Sequence, residues 1–242
     1  MHPAEVARPS VAARAFAWTG GALFVAALFY FAYSYAVRFG RVPTAPPPEG
    51  TAGAIGLDLL LFAAFSAHHS VMARTGAKRW LAARWPPSHE RSVYVWIASL
   101  LFLAVCAAWR PLPGLVYEAE GPIAWLLRLA QLAGIALTIG GVRMLDPLEL
   151  AGIRQVYGEV TPPAFTVVGP YRWVRHPVYL GWLLMVFGTP TMTATRLAFA
   201  IISSAYLVVA IPWEEASLVG VFGERYRQYQ RDVRWRVVPF LY

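Results

Sequence analysis

The sequence predicts an all-α, polytopic transmembrane helical bundle of about six membrane helices, and three observations carry that reading. Hydrophobic residues make up 58% of the 242-residue chain and charged residues only 14%, against about 25% charged in a soluble domain. Mean hydropathy is +0.48. Apolar stretches of membrane-spanning length recur along the chain, and most of the cations sit between them. Too little polar surface remains for water to be the main solvent, and in lipid each helix must satisfy its own backbone groups.

The first stretch covers 18–39, behind Arg8 and Arg14. It is too long for a signal-peptide core and lacks a convincing cleavage site, so it reads as a retained helix. The linker PTAPPPEGTAG (43–53) is too rich in Pro and Gly for a helix and reads as an external loop. Stretches at 53–72, 92–109 and 122–142 supply three more spans. The single cysteine, Cys106, excludes an internal disulfide and reads as a buried structural thiol; no cluster suggests a metal. The runs 178–192 and 194–213 meet at Thr189-Pro190-Thr191 and are expected to form a helical hairpin. The chain reads as one membrane domain, with N-terminal helices over 1–142 and the chemistry over 143–242.

Charge reports orientation. Sixteen of the 21 Lys and Arg residues lie in the N-terminus, the 73–92 and 143–177 loops and the tail after 213, and four lie in the other loops. The positive-inside rule then puts both termini in the cytoplasm; the expected location is a bacterial inner membrane. The remaining cation, Arg128, lies inside the fourth span and is expected to snorkel outward. This distribution, rather than nucleic-acid binding, accounts for the net charge of +8.

Two segments stand out chemically. In GPYRWVRHPVYLGW (169–182), Pro177 suits the first position of a helix. Arg175 and His176 then stand at that helix's positive end, where free N–H groups and a guanidinium can bind an anion. Gly181, one turn in, allows close approach of a second backbone or a flat ligand. The alternative is a basic interfacial anchor whose Tyr171, Trp173, Tyr179 and Trp182 form an aromatic belt. In PWEEASLVGVFGERYRQYQ (212–230), Pro212 favours a kink. Glu214 and Glu215 follow, pointing about 100° apart on a helix. One suits Arg175 or Arg172 and the other a cationic or hydroxylated ligand; an ordinary helix-end charge pair is the alternative. Tyr226 and Tyr229, at i and i+3, share a face.

Elsewhere, His68 and His69 lie near the cytoplasmic end of the second span, with Asp58 on the face of His69 about 16 Å away along the axis. They read as hydrogen-bonded interface residues, as proton acceptors, or as haem ligands. Arg154 and Gln155 can meet a cofactor carboxylate, or Arg154 can pair internally with Asp146.

GPYRWVRHPVYLG, a hydrophobic hairpin, the EE pair and FGERYRQY together resemble the isoprenylcysteine carboxyl methyltransferase family of membrane methyltransferases, over about 165–240. HHSVMAR (68–74), KRW (78–80), ERSVYV (90–95) and LDPLELAGIRQVYG (145–158) are similar to methanethiol S-methyltransferases and nitric-oxide-associated membrane proteins. The tail VRWRVVPF departs from the thiol enzymes. The resemblance implies S-adenosylmethionine in a cytoplasm-facing pocket, which makes 143–242 the catalytic region. Arg175, His176, Pro177, Tyr179 and Gly181 would line or shape that pocket, Glu214 and Glu215 would take the ribose or amino group or position the acceptor, and Tyr226 and Tyr229 would close it. His68, His69, Glu215 and Arg154 are the catalytic candidates. The implied reaction is methylation of a small thiol, methanethiol to dimethyl sulfide. Its rivals are carboxyl methylation of an isoprenylated cysteine or other lipid-like acceptor, and a haem-linked membrane sensor. Expected partners are a small apolar acceptor and membrane lipid, with no nucleic acid and no obligate protein partner.

Overall fold

A computed structural model describes residues 9–72, 89–144, 146–158 and 165–242. Arg8, the basic 73–88 segment with its KRW motif, and Leu145 lie outside the described residues. The described chain is mainly helical and forms two compact units.

The first unit holds α1 (Val11–Tyr33), which Ser10 caps by accepting from the Ala13 N–H at 3.1 Å. A π-helical turn (Ser34–Arg38) continues it. Arg38 closes that turn by donating to the carbonyls of Cys106 and Ala107 at 2.7 and 3.0 Å. The unit also takes most of α2 (Gly50–Met72) and all of α3 (Glu90–Ala108). Gly20 lets the Trp96 indole lie flat on α1, where its Nε1–H donates to Phe16 O at 2.9 Å. A short helix, α5 (Pro147–Leu150), and a 3-10 turn at Arg154–Tyr157 complete the unit.

The second unit takes Phe39–Ile55, which includes the start of α2, and then β1 (Leu115–Glu118) and α4 (Gly121–Arg143). It continues through α6 (Pro177–Phe187), β2 (Thr191–Thr193), α7 (Ala194–Phe222) and α8 (Glu224–Asp232). Alpha-4 and α6 touch through glycines. A Cβ on Gly181 would meet Gly134 O at 2.7 Å, and one on Gly134 would meet Met185 N at 2.7 Å. Backbone-to-backbone contact of this kind is how helices associate where lipid removes the hydrophobic drive.

Among the described residues, five helices are long and apolar enough to cross a bilayer: Val11–Arg38, Gly50–Met72, Glu90–Ala108, Gly121–Arg143 and Ala194–Phe222. The chain is an integral membrane protein. The predicted hairpin is present, but its two arms are unequal. Its first arm stops at Phe187 rather than at 192, and eleven helical residues span only about 16 Å of a hydrocarbon layer about 30 Å thick. The rest of that arm leaves the helix at Gly188 and runs into β2 at Thr191. Beta-2 pairs antiparallel with β1, Tyr117 opposite Met192 and Glu118 opposite Thr191, a small sheet that the sequence reading does not contain. Its second arm, α7, runs through Pro212 to Phe222, about two and a half turns beyond the expected end. Glu214 and Glu215 are therefore helical residues inside α7.

Candidate active site

The acidic pair and the cationic helix start converge in the second unit. Arg175 sits two residues before α6 and is almost fully buried. Its Nε donates to Glu215 Oε1 at 2.6 Å and its Nη2 to Oε2 at 3.4 Å, a two-pronged pair. Its Nη1 donates to the carbonyls of Val233 and Arg234 at 2.7 and 3.0 Å. Glu215 is equally enclosed. His176 Nε2 lies 3.2 Å from its Oε1, and Gln230 donates to its Oε2 at 3.1 Å. The anion expected at the start of α6 is thus a side chain of the protein itself. A charge pair this dry holds only when its remaining lone pairs and protons are also satisfied, and the carbonyls after α8 provide that.

Glu214, one residue earlier, faces differently, as the 100° step between neighbours requires. Its side chain is 43% exposed. Tyr179 donates to its Oε2 at 2.5 Å, and His176 Nδ1 lies 3.8 Å from the same oxygen. The His176 and Tyr179 rings stack with centroids 5.2 Å apart. Burial, then the Glu214 charge, push the Tyr171 phenol up.

Tyr226 and Tyr229 share the buried face of α8 and pack edge-on against Phe165. The Tyr229 hydroxyl donates to Tyr171 O at 2.7 Å. The Tyr226 hydroxyl is buried without a hydrogen-bond partner among the described residues. Burial, then the Glu215 charge, hold its phenol well above the usual range, so at neutral pH it is a neutral donor.

The other predicted residues fall as follows. Pro177 occupies the first turn of α6 and is fully buried. The close approach that Gly181 permits is made by the α4 backbone. Arg154 pairs with Asp146 in the first unit, and Gln155 donates to Glu149 O at 3.3 Å. His68 and His69, also in the first unit, both meet Tyr94. His68 Nε2 lies 3.4 Å from its carbonyl oxygen and His69 Nδ1 lies 2.6 Å from its hydroxyl. Sequence reasoning missed Gln230, Trp235 and Arg236. The last stands with its Nε 3.7 Å from Glu215 Oε2, and a basic residue returning after α8 is the only signal the sequence offers for it.

Comparison with known proteins turns this geometry into an identity. The phospholipid methyltransferase family matches residues 130–225, a stretch holding α6, α7 and the Arg175–Glu215 pair. Methanethiol S-methyltransferase 2 of Bradyrhizobium diazoefficiens is 38% identical over 200 residues, 81% of this chain and 77% of the relative. Methanethiol S-methyltransferase of Mycobacterium tuberculosis is 37% identical over 218 residues, 85% of this chain and 89% of the relative. The chain belongs to the methanethiol S-methyltransferase family. The protein of that name from Crocosphaera subtropica, 34% identical over 199 residues, spans 80% of this chain, so the likeness reaches well before the hairpin. No solved structure matches. Membership in this family makes the chain a membrane methyltransferase.

Proposed function

We propose that the protein transfers a methyl group from S-adenosylmethionine to methanethiol, giving dimethyl sulfide. The observation that carries this reading is the division of labour in the acidic pair. Glu215 is consumed by Arg175, His176 and Gln230, while Glu214 beside it keeps a partly exposed carboxylate. The residues present fit the cofactor. Its ammonium and ribose hydroxyls are donors suited to Glu214, and the Tyr226 hydroxyl, without a partner among the described residues, supplies a buried donor for an acceptor atom. The flat His176–Tyr179 stack offers a face to an aromatic base.

When bound, S-adenosylmethionine supplies a methyl group that its sulfonium has already made electrophilic. The protein's work is then alignment, water exclusion and proton removal. Arg175 and Glu215 lock the start of α6 to α7, which holds Tyr179 and Glu214 at the fixed spacing that a donor would need. Glu214 would hold the ammonium or ribose. The apolar surroundings exclude water, which favours a step in which opposite charges neutralise. A thiol must also shed its proton, because burial keeps thiols neutral. An imidazole can accept it, and His68 and His69 of the first unit carry that expectation from the sequence alone. Arg154, engaged by Asp146, is given no role. The sixteen-to-four bias in cation placement supports a cytoplasmic site in a bacterial inner membrane, with both termini on that side.

The test is incubation of the purified protein with methyl-labelled S-adenosylmethionine and a panel of thiols and lipid carboxylates, with products identified by mass. Labelled dimethyl sulfide is expected. Label found only on prenylcysteine carboxylates overturns the acceptor. Absence of transfer together with absence of cofactor binding by calorimetry overturns the whole reading.

A further inference from the structure

The chain after α8 turns back toward the start of α6. The Arg175 N–H donates to Trp235 O at 2.9 Å and the His176 N–H to Arg236 O at 2.8 Å. This strap therefore lies beside the residue that precedes Pro177. Its depth follows from the α4 contact. A Cβ on Gly141 would meet the Val178 side chain at 2.6 Å, so α6 begins level with the last turn of α4. That is where a spanning helix leaves hydrocarbon for the headgroup layer.

Past the strap the chain closes into a hook. The N–H groups of Val237 and Val238 donate to Tyr242 O at 2.8 and 3.0 Å, and the Tyr242 N–H donates back to Val238 O at 3.0 Å. Arg236 fastens the hook by donating to the Tyr242 hydroxyl at 3.0 Å. At its tip Phe240 holds a φ of +67°, a conformation uncommon for any residue with a side chain. Phe240 is 88% exposed and Leu241 80%, the barest large apolar side chains among the described residues. The exposed apolar residues of α1, α4 and α7 face acyl chains from within a span. Phe240 and Leu241 lie beyond every span, so lipid at the sides of the helices does not account for them.

We propose that this hook is a membrane-interface anchor: Phe240 and Leu241 enter the headgroup–acyl boundary of the leaflet at which α6 begins. Three features fit lipid as the occupant. The strap already lies at that depth. The Trp235 ring packs 5.4 Å from Phe240, and tryptophan prefers this layer because one edge is apolar and the other donates. Arg234, whose guanidinium lies over the Trp235 ring at 5.9 Å, is placed for a lipid phosphate. A strained backbone that turns two apolar side chains outward is costly in water, and it is offset once they reach the acyl boundary. The anchor holds the strap, and with it the carbonyls of Val233 and Arg234, against Arg175.

The test needs no catalysis. Phe240→Cys and Leu241→Cys chains carry a nitroxide in phosphatidylglycerol-containing liposomes, beside an Arg225→Cys chain labelled on the exposed side of α8. The native thiol, Cys106, is buried, and the labelled parent chain gives the background. At 240 and 241, collision with oxygen should exceed collision with a water-soluble nickel chelate, and at 225 the order should reverse. Chelate dominance at 240 and 241 overturns the anchor. A label reached by neither quencher also overturns it, because protein rather than lipid then covers the tip.

Discussion

Arg175 and Arg154 look alike in the sequence, each a cation in a polar stretch near a membrane helix with an acid in reach, and the fold treats them oppositely. Arg175 and Glu215 are 7% and 5% exposed in their side chains and meet at 2.6 Å inside a shell of backbone carbonyls. Arg154 and Asp146 are each about a third exposed; Asp146 caps the short α5, accepting from Leu148 N–H at 3.0 Å, and Arg154 reaches it from the 3-10 turn that follows. Water solvates the second pair and cannot reach the first. An exposed pair adds little, because solvent already holds both charges. A buried pair adds little relative to an apolar core, yet losing one member strands the other. The informative quantity is how much of the surroundings was built around each charge.

Substitutions sharpen that contrast, the largest effect first. Arg175→Ala or Glu215→Ala should cost about 3–5 kcal/mol, read as a large fall in melting temperature of the detergent-solubilised protein. Removing both should recover part of the loss, and equal losses in single and double variants would break the argument. Gly181→Ala pushes a methyl into the α4 backbone and should cost about 1–3 kcal/mol by the same melting measurement. Glu214→Gln should leave melting nearly unchanged but weaken S-adenosylmethionine binding by about tenfold or more in calorimetry. The double His68→Ala, His69→Ala variant should slow thiol methylation at neutral pH, with the deficit shrinking as pH rises and the thiol ionises unaided. A rate profile identical to that of the parent chain removes both histidines as proton acceptors. Arg154→Ala should change the melting temperature too little to separate from the parent chain.

Much of this was legible in the residues. Continuous apolar runs marked the five long helices, and Pro177 marked the start of α6. The different fates of Glu214 and Glu215 followed from the angle between successive helical residues. Less accessible was anything held by backbone. The strands at 115–118 and 191–193 are too short to show alternation, so the run toward 192 read as more helix. The Val233 and Arg234 carbonyls that complete the Arg175 shell have no sequence signature, since every residue carries one. Gly181 was ambiguous for a related reason. A glycine announces close approach without naming the visitor, which here is the α4 backbone.

The Arg175 shell also constrains how the chain can be made. The acceptor at Val233 lies 58 residues downstream, so on a ribosome the guanidinium emerges well before the carbonyls it will need. Synthesis proceeds from the N-terminus and early segments settle first. Here the start of α6 cannot settle until the strap arrives. A chain stalled or clipped ahead of 233 would present a poorly satisfied cation at the membrane surface, a mark by which quality-control proteases can tell it from a finished one.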